Sequence, residues 1–321
     1  MGSVIVLMLV GLSASPDAKS ATPAEIAAAV KRSLPVLEKE GVAWIEQKKC
    51  VTCHQVPFML WSHQAAASRG LKLNDEGLKQ WTEWSLEKAE TGAVDGLAQL
   101  ILAIGSYLPD QRPRLIPLGE KLIKDQQPDG SWNAAGQLPA QKRPAPETKQ
   151  VTTLWIVVAL DALAKQQPTF AEKAQPAIDK ALKWLQPLEK PVSLEWFAVR
   201  LLAEYRVGDR RQATAMREDL LKHQKEDGGW GWLTAEPSDA LATGQALYVL
   251  SQVGVAADEP AVSRARSFLL TTQPADGKWL VNGTKTASKT KPQPTSNYWG
   301  TGWAVVGLLE SSGPQSPAGG Q

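Results

Sequence analysis

Apolar residues along this chain recur at helical spacing over long stretches and almost nowhere alternate with period two. Segments 152–163 and 240–253 are apolar nearly all round, which marks helices buried on every side. Segments 172–188 and 260–272 carry charge along one face only. The alternation predicts an all-α chain in which buried inner helices take turns with amphipathic outer ones. Inner helices are expected over 57–69, 94–108, 150–165, 193–207, 239–254 and 298–311.

The loops that close the outer helices repeat a pattern. Gln126, Gly130 and Trp132 share their spacing with Gln224, Gly228 and Trp230, and with Gln273, Gly277 and Trp279. Three copies of a three-residue constraint, each at a predicted helix end, are an internal repeat. The glycine supplies the left-handed residue that stops the helix. The indole can then fold back over the helix end, burying about 150–250 Å². Tryptophan usage agrees, with 13 Trp against 4 Phe and 4 Tyr. Degenerate copies fill the gaps: 88–94 keeps only Gly92, 186–192 keeps only Gln186, and six residues after Gln47 stands Cys53 instead of tryptophan. Six loops imply six helical hairpins.

This motif of Gln, Gly and Trp resembles that of the terpenoid cyclase and protein prenyltransferase superfamily, over roughly residues 24–312. The resemblance implies an α/α toroid: six inner helices as a barrel, six outer helices around it, and a central cavity. Periodicity alone allows an open helical array as well. The resemblance is specific for fold and weak for activity. Cyclases that protonate an alkene use an Asp-x-Asp-Asp run, which this chain lacks, and prenyltransferase zinc ligands have no counterpart here. Asp95 and Asp239 each start an inner helix, where one carboxylate without partners reads first as a cap. Trp61, Trp155, Trp196, Trp299 and Trp303 lie on inner helices and line the expected apolar cavity, although core packing accounts for most such aromatics.

The chain's two cysteines stand in Cys50-Val51-Thr52-Cys53-His54. Haem attachment needs two thiols spaced for the two vinyl groups and an imidazole immediately after them, and this pentapeptide supplies all three. One covalent haem c is therefore expected on Cys50 and Cys53, with His54 as proximal ligand, in the loop of the first hairpin. Pro57 is expected to break the helix after His54 and turn the chain back. For the distal position His63 is the first candidate and Met59 the second, while a pentacoordinate iron stays open. Two other readings stand beside haem: zinc on Cys50, Cys53, His54 and His63, and a redox disulfide.

A net charge of +2 and the absence of a long basic block argue against nucleic acid. The long loops 133–149 and 281–297 carry Lys142, Arg143, Lys149, Lys285, Lys289 and Lys291, a basic rim for an acidic redox partner or ordinary solvated loop charge. Apolar residues 4–12 followed by small ones read as a signal peptide over 1–21, hence an exported protein without a membrane span in its mature chain. The toroid is assigned to 22–312 and a disordered tail to 313–321. The functional expectation is an exported monohaem c-type cytochrome in electron transfer or haem-based redox chemistry. The alternative is an isoprenoid-binding or isoprenoid-transforming protein holding a small apolar ligand in its central cavity.

Overall fold

The computed structural model describes residues 21–313 apart from 52, 53, 186, 187, 189 and 289, so all but the last residue of the expected signal peptide and all but the first of the tail lie outside the described residues. Among the described residues there are twelve α-helices and four single 3₁₀ turns. The outer helices are α1 (Pro23–Lys48), α3 (Asp75–Lys88), α5 (Arg112–Lys124), α7 (Pro168–Trp184), α9 (Arg210–Lys222) and α11 (Pro260–Thr272). The inner ones are α2 (Gln55–Ser68), α4 (Val94–Gly105), α6 (Ala145–Gln166), α8 (Leu194–Val207), α10 (Ala240–Gln252) and α12 (Pro294–Ser311). All six expected inner helices are present. Each packs on the next, and α12 returns to α2, so the inner ring closes.

Each part of the repeated loop motif makes a defined contact. The Gln126 amide donates to Gly130 O and to Ala177 O of α7, and Gln224 donates likewise to Gly228 O and Ala261 O of α11. Gln273 donates to Ala29 O and Ser33 Oγ, both on α1, so the last loop grips the first helix. The indole N–H groups of Trp132, Trp230 and Trp279 donate to Leu122 O, Leu220 O and Leu269 O in the last turns of their own outer helices, Leu220 O also accepting from His223 N–H. Thr153, Thr243 and Thr301 of the following inner helices accept from the three tryptophan backbone amides. Gly228 has φ +87°, and a Cβ there would sit 2.7 Å from Arg264 O, so conformation and space both demand glycine.

The expected central cavity is filled. Trp303 meets Phe58 at 5.0 Å, Trp61 at 5.3 Å, Tyr248 at 5.5 Å and Trp155 at 5.6 Å between ring centroids. These rings plug the barrel axis with the tilted and edge contacts that aromatic quadrupoles favour. Trp196 lies apart, donating to Gln150 Oε1 and packing edge-on to Phe197. At one close crossing, a Cβ on Gly244 would lie 2.4 Å from the Trp303 backbone, so α10 and α12 meet through glycine.

Two expectations follow for stability. Trp230→Ala removes a fully buried indole and one helix cap, and should cost about 3–5 kcal/mol in denaturant unfolding. Gln273→Ala should speed hydrogen exchange in α1 more than in α5 or α7, because it cuts the contacts closing the outer ring.

Candidate functional site

All inner helices begin at the same face, and there the two long loops meet. Lys142 N–H donates to Thr284 O at 2.9 Å, and Gln141 bridges Lys285 in antiparallel fashion. The loop before α6 thus pairs across the mouth with the loop before α12. Beneath this roof lies a cavity of about 390 Å³, within the range of small-molecule sites. It is lined by Trp44 of α1, by Cys50 and His54 before α2, and by Asp95 and Gln99 of α4. Gln141 and Lys285 of the roof and Thr295, Ser296 and Trp299 of α12 complete it. The first turns of α4 and α12 face it, and no side chain caps either helix.

Polar atoms with no partner among the described residues gather in this cavity. Trp44 Nε1, His54 Nε2, Gln141 Oε1 and Trp299 Nε1 are each buried and unpaired. Trp299 is 6% exposed and Gln141 7%, so neither is satisfied at an open surface. Buried polar groups are normally hydrogen-bonded, and four exceptions around one cavity make it a candidate site for a polar ligand. The His54 ring is tilted at 6.1 Å from that of Trp299. Burial, and then the charge of Lys285, push its pKa down to about 4, so the imidazole is neutral at physiological pH.

Asp95 is the carboxyl of the cavity. Its Oδ2 accepts from Ala135 N–H at 2.9 Å and its Oδ1 from the Thr152 hydroxyl at 2.6 Å, tying α4 to the roof loop and to α6. Burial raises its pKa to about 6 against the lowering effect of those bonds. Asp239 caps α10 through Ala242 N–H and also accepts from Trp232 N–H, the capping role expected for it. Burial raises it to about 6 too, but it does not line the cavity.

Several expected site residues go elsewhere. His63 Nδ1 bonds Met59 O at 2.8 Å, and its Nε2 faces Glu38 of α1 at 3.8 Å. Met59 packs on Gly41 of α1, so neither distal candidate reaches the cavity. Pro57 does not break a helix: α2 starts at Gln55 and holds Pro57 in its first turn, where no N–H is needed. Of the basic rim, Lys142 pairs with Glu236 at 2.6 Å, Arg143 with Glu195 at 2.7 Å and Lys149 with Asp129 at 3.1 Å. The Arg143 pair is buried, whereas the Lys149 pair lies at the surface. Lys289 lies outside the described residues. Trp44, Gln99 and Gln141 were not singled out by sequence, and nothing in a linear pattern brings them together.

A family model described as the squalene-hopene cyclase N-terminal domain matches residues 170–277. Lanosterol synthase erg7A of Aspergillus fumigatus is 29% identical over 151 residues, which is 39% of this chain and 20% of that protein. The chain thus spans about a fifth of that relative. Among solved structures, a possible GH105 member from Klebsiella pneumoniae subsp. pneumoniae MGH 78578 has TM-score 0.56 at 14% identity, covering 96% of this chain and 98% of its own. A family 88 glycosyl hydrolase from Bacteroides vulgatus has TM-score 0.56 at 14% identity, covering 90% and 99%. Unsaturated glucuronyl hydrolase from Bacillus sp. GL1 has TM-score 0.52 at 13% identity, covering 79% and 84%. The sequence matches support the terpenoid cyclase-like superfamily, and the structural likenesses show the α/α toroid.

These findings correct the functional expectation. The folds that run along the whole chain belong to toroid glycosidases, not cytochromes. Cys50 is disulfide-bonded and lines the mouth cavity with His54, and Cys53 lies outside the described residues. No group of three or more His, Cys, Asp or Glu side chains that could hold a metal ion occurs among the described residues, and Cys53, one of the four ligands of the zinc reading, lies outside them. The electron-transfer cytochrome is therefore set aside, and the isoprenoid alternative goes with it because aromatic rings occupy the barrel axis.

The raised pKa of Asp95 has a consequence for stability. Its carboxyl favours the protonated form in the fold, so the contribution is full below pH 4 and is lost as pH rises through about 6. Relative to Asp95→Asn, the native chain should lose unfolding free energy between pH 4 and 6. Equal slopes for the two proteins in denaturant titrations would refute the assignment.

Proposed function

We propose that the protein is a toroid whose working site is the mouth cavity, where Asp95 donates a proton to a ring-shaped polar ligand of the saccharide class. The carrying observation is one protonatable carboxyl in a cavity that also holds the four unpaired polar atoms of Trp44, His54, Gln141 and Trp299. Indole faces stack on the apolar faces of sugar rings, while amides and indole N–H groups bond hydroxyls. A carboxyl held near pH 6 is matched to acid catalysis around neutrality. Glycoside hydrolysis by two carboxylates needs a flanking pair. Asp95 is the only carboxylate lining the cavity among the described residues, so the chemistry that fits is single proton donation, as to an electron-rich double bond followed by addition of water. One of the solved relatives is named an unsaturated glucuronyl hydrolase, and the shared toroid supports the reading by analogy only.

Activity on unsaturated saccharides, followed by loss of double-bond absorbance, should fall as pH rises through about 6, since the acid must be protonated. Asp95→Asn should lower kcat by about 10²–10⁴-fold, the scale of general acid catalysis. Retention of full activity by that variant would sink the proposal.

A second reading concerns a cofactor alone and rests on the His54 imidazole, whose buried, unpaired Nε2 shares the cavity with Cys50. Cys50 and Cys53, once reduced, would hold a covalent haem there, and His54 would ligate its iron. The disulfide at Cys50 and the thioether are mutually exclusive, so haem attachment requires the reduced thiol. Protein matured in a host able to attach haem should carry the added porphyrin mass and a Soret band, and the absence of both overturns this reading.

A further inference from the structure

Behind Asp95 a row of polar contacts runs along one face of α6. Thr148, Thr152 and Trp155 are spaced four and then three residues apart, so they share that face, and each holds a different partner. The Thr152 hydroxyl donates to Asp95 Oδ1 at 2.6 Å, Thr148 Oγ1 accepts from Arg143 Nε at 3.2 Å, and the Trp155 indole N–H donates to Glu195 Oε1 at 3.0 Å. Arg143 closes the row by donating from Nη1 to Glu195 Oε2 at 2.7 Å. The side chains of this ion pair are 1% and 5% exposed, and neither residue lines the mouth cavity. A guanidinium and a second carboxylate thus stand behind the cavity's acid, out of its lining.

We propose that Glu195 is a positioning residue for this acid: by pairing with Arg143 it keeps the proton on Asp95, although neither member of the pair touches the ligand. This role rests on Asp95 as the cavity's proton donor and is indifferent to which ligand the cavity takes. A buried ion pair adds little stability over apolar residues of the same volume, whereas removing one partner leaves an uncompensated charge. The charged groups that face Asp95 show where that charge would act. From the roof loop before α6 comes Arg143, whose charge favours the Asp95 carboxylate. Across the cavity stand His54, which is neutral, and Lys285 of the other roof loop. An Arg143 without its counterion would draw the proton off Asp95, because a nearby cation favours the ionised form of a carboxyl. Glu195 cancels that charge and, together with Thr148, pins the guanidinium in place.

The test follows the Asp95 carboxyl carbon by NMR across pH, its signal identified by its loss in Asp95→Asn. Glu195→Gln keeps the volume and removes the charge, and it should move the Asp95 midpoint, about 6 in the native chain, lower by about one pH unit. Adding Arg143→Gln should return the midpoint to its native value, since one neutral pair then replaces another. Activity on unsaturated saccharides is the second readout: in Glu195→Gln kcat should fall about tenfold above pH 6 with KM unchanged, which a merely structural role would not produce. A Glu195→Gln midpoint equal to the native one overturns the role. So does a lowered midpoint that persists in the double variant, because the effect would then not pass through Arg143. A lowered midpoint in a chain whose native form acts on no saccharide upholds the role of Glu195 and overturns the saccharide reading instead. If Glu195→Gln alone does not fold, as its unfolding temperature would show, the double variant decides. A midpoint above the native one means that Arg143 acts unneutralised and overturns the proposal, and the native value upholds it.

Discussion

The amide of a loop glutamine, donating at once to its own loop and to the next outer helix, is the contact on which the ring depends. Gln126 joins α5 to α7, Gln224 joins α9 to α11, and Gln273 joins α11 back to α1. At the closing junction Ser33 Oγ accepts from Gln273 and passes the bond on to Gly277 O at 2.7 Å, restoring the link to the loop glycine made directly in the other two copies. Neighbouring carbonyls explain the strict spacing. The glycine four residues on must lie against the next helix, and the tryptophan six residues on must reach back to cap its own. A helical array with the same periodicity but without this last link would stay open.

Filling of the barrel axis follows from the same composition. Large rings on inner helices converge on the axis because inner helices bury every face, and Trp61, Trp155, Tyr248 and Trp303 together occupy the volume that smaller residues would leave free. The resemblance to cyclases implied a cavity there. Fold likeness carried the ring correctly but not its contents, because helix positions come from backbone periodicity and packing whereas cavity volume depends on which side chains stand at them.

Legibility in the sequence divides along the same line. Inner and outer helices and the repeat loops were readable because each depends on residues close together in the chain. Trp299 and Asp95 were readable as residues at inner-helix starts, and Lys285 as loop charge. Their assembly into one cavity was not, since it needs the roof loops before α6 and α12 to pair across the mouth, a contact between residues more than a hundred positions apart. Trp44 shows the limit most directly. It sits in the last turns of an amphipathic helix, where an aromatic reads as ordinary packing, and only the fold turns it toward His54 and Cys50. His63 fails in the opposite sense: nine residues beyond His54 on a continuous helix, it points to α1 and α3, against Glu38 and Trp81.

The position of the cavity is itself a consequence of where the repeat decays. The loops following α5, α9 and α11 keep their tryptophan, and each fills the space between an outer helix end and the next inner helix. The loops following α1 and α3 do not, having Cys53 and Val94 at the corresponding positions. Those are the loops that lead to His54 and Asp95, and the cavity opens against them. Loss of glycine is answered in the first of these loops by Lys49, which takes the left-handed conformation at φ 51° and ends α1 by donating to Trp44 O. The helix therefore still stops where the repeat requires, while the indole that would have covered its end is absent. A scaffold whose intact repeats exclude solvent thus gains a polar cavity where two adjacent repeats have degenerated, while the three loops that keep the full motif, after α5, α9 and α11, hold their neighbouring outer helices together.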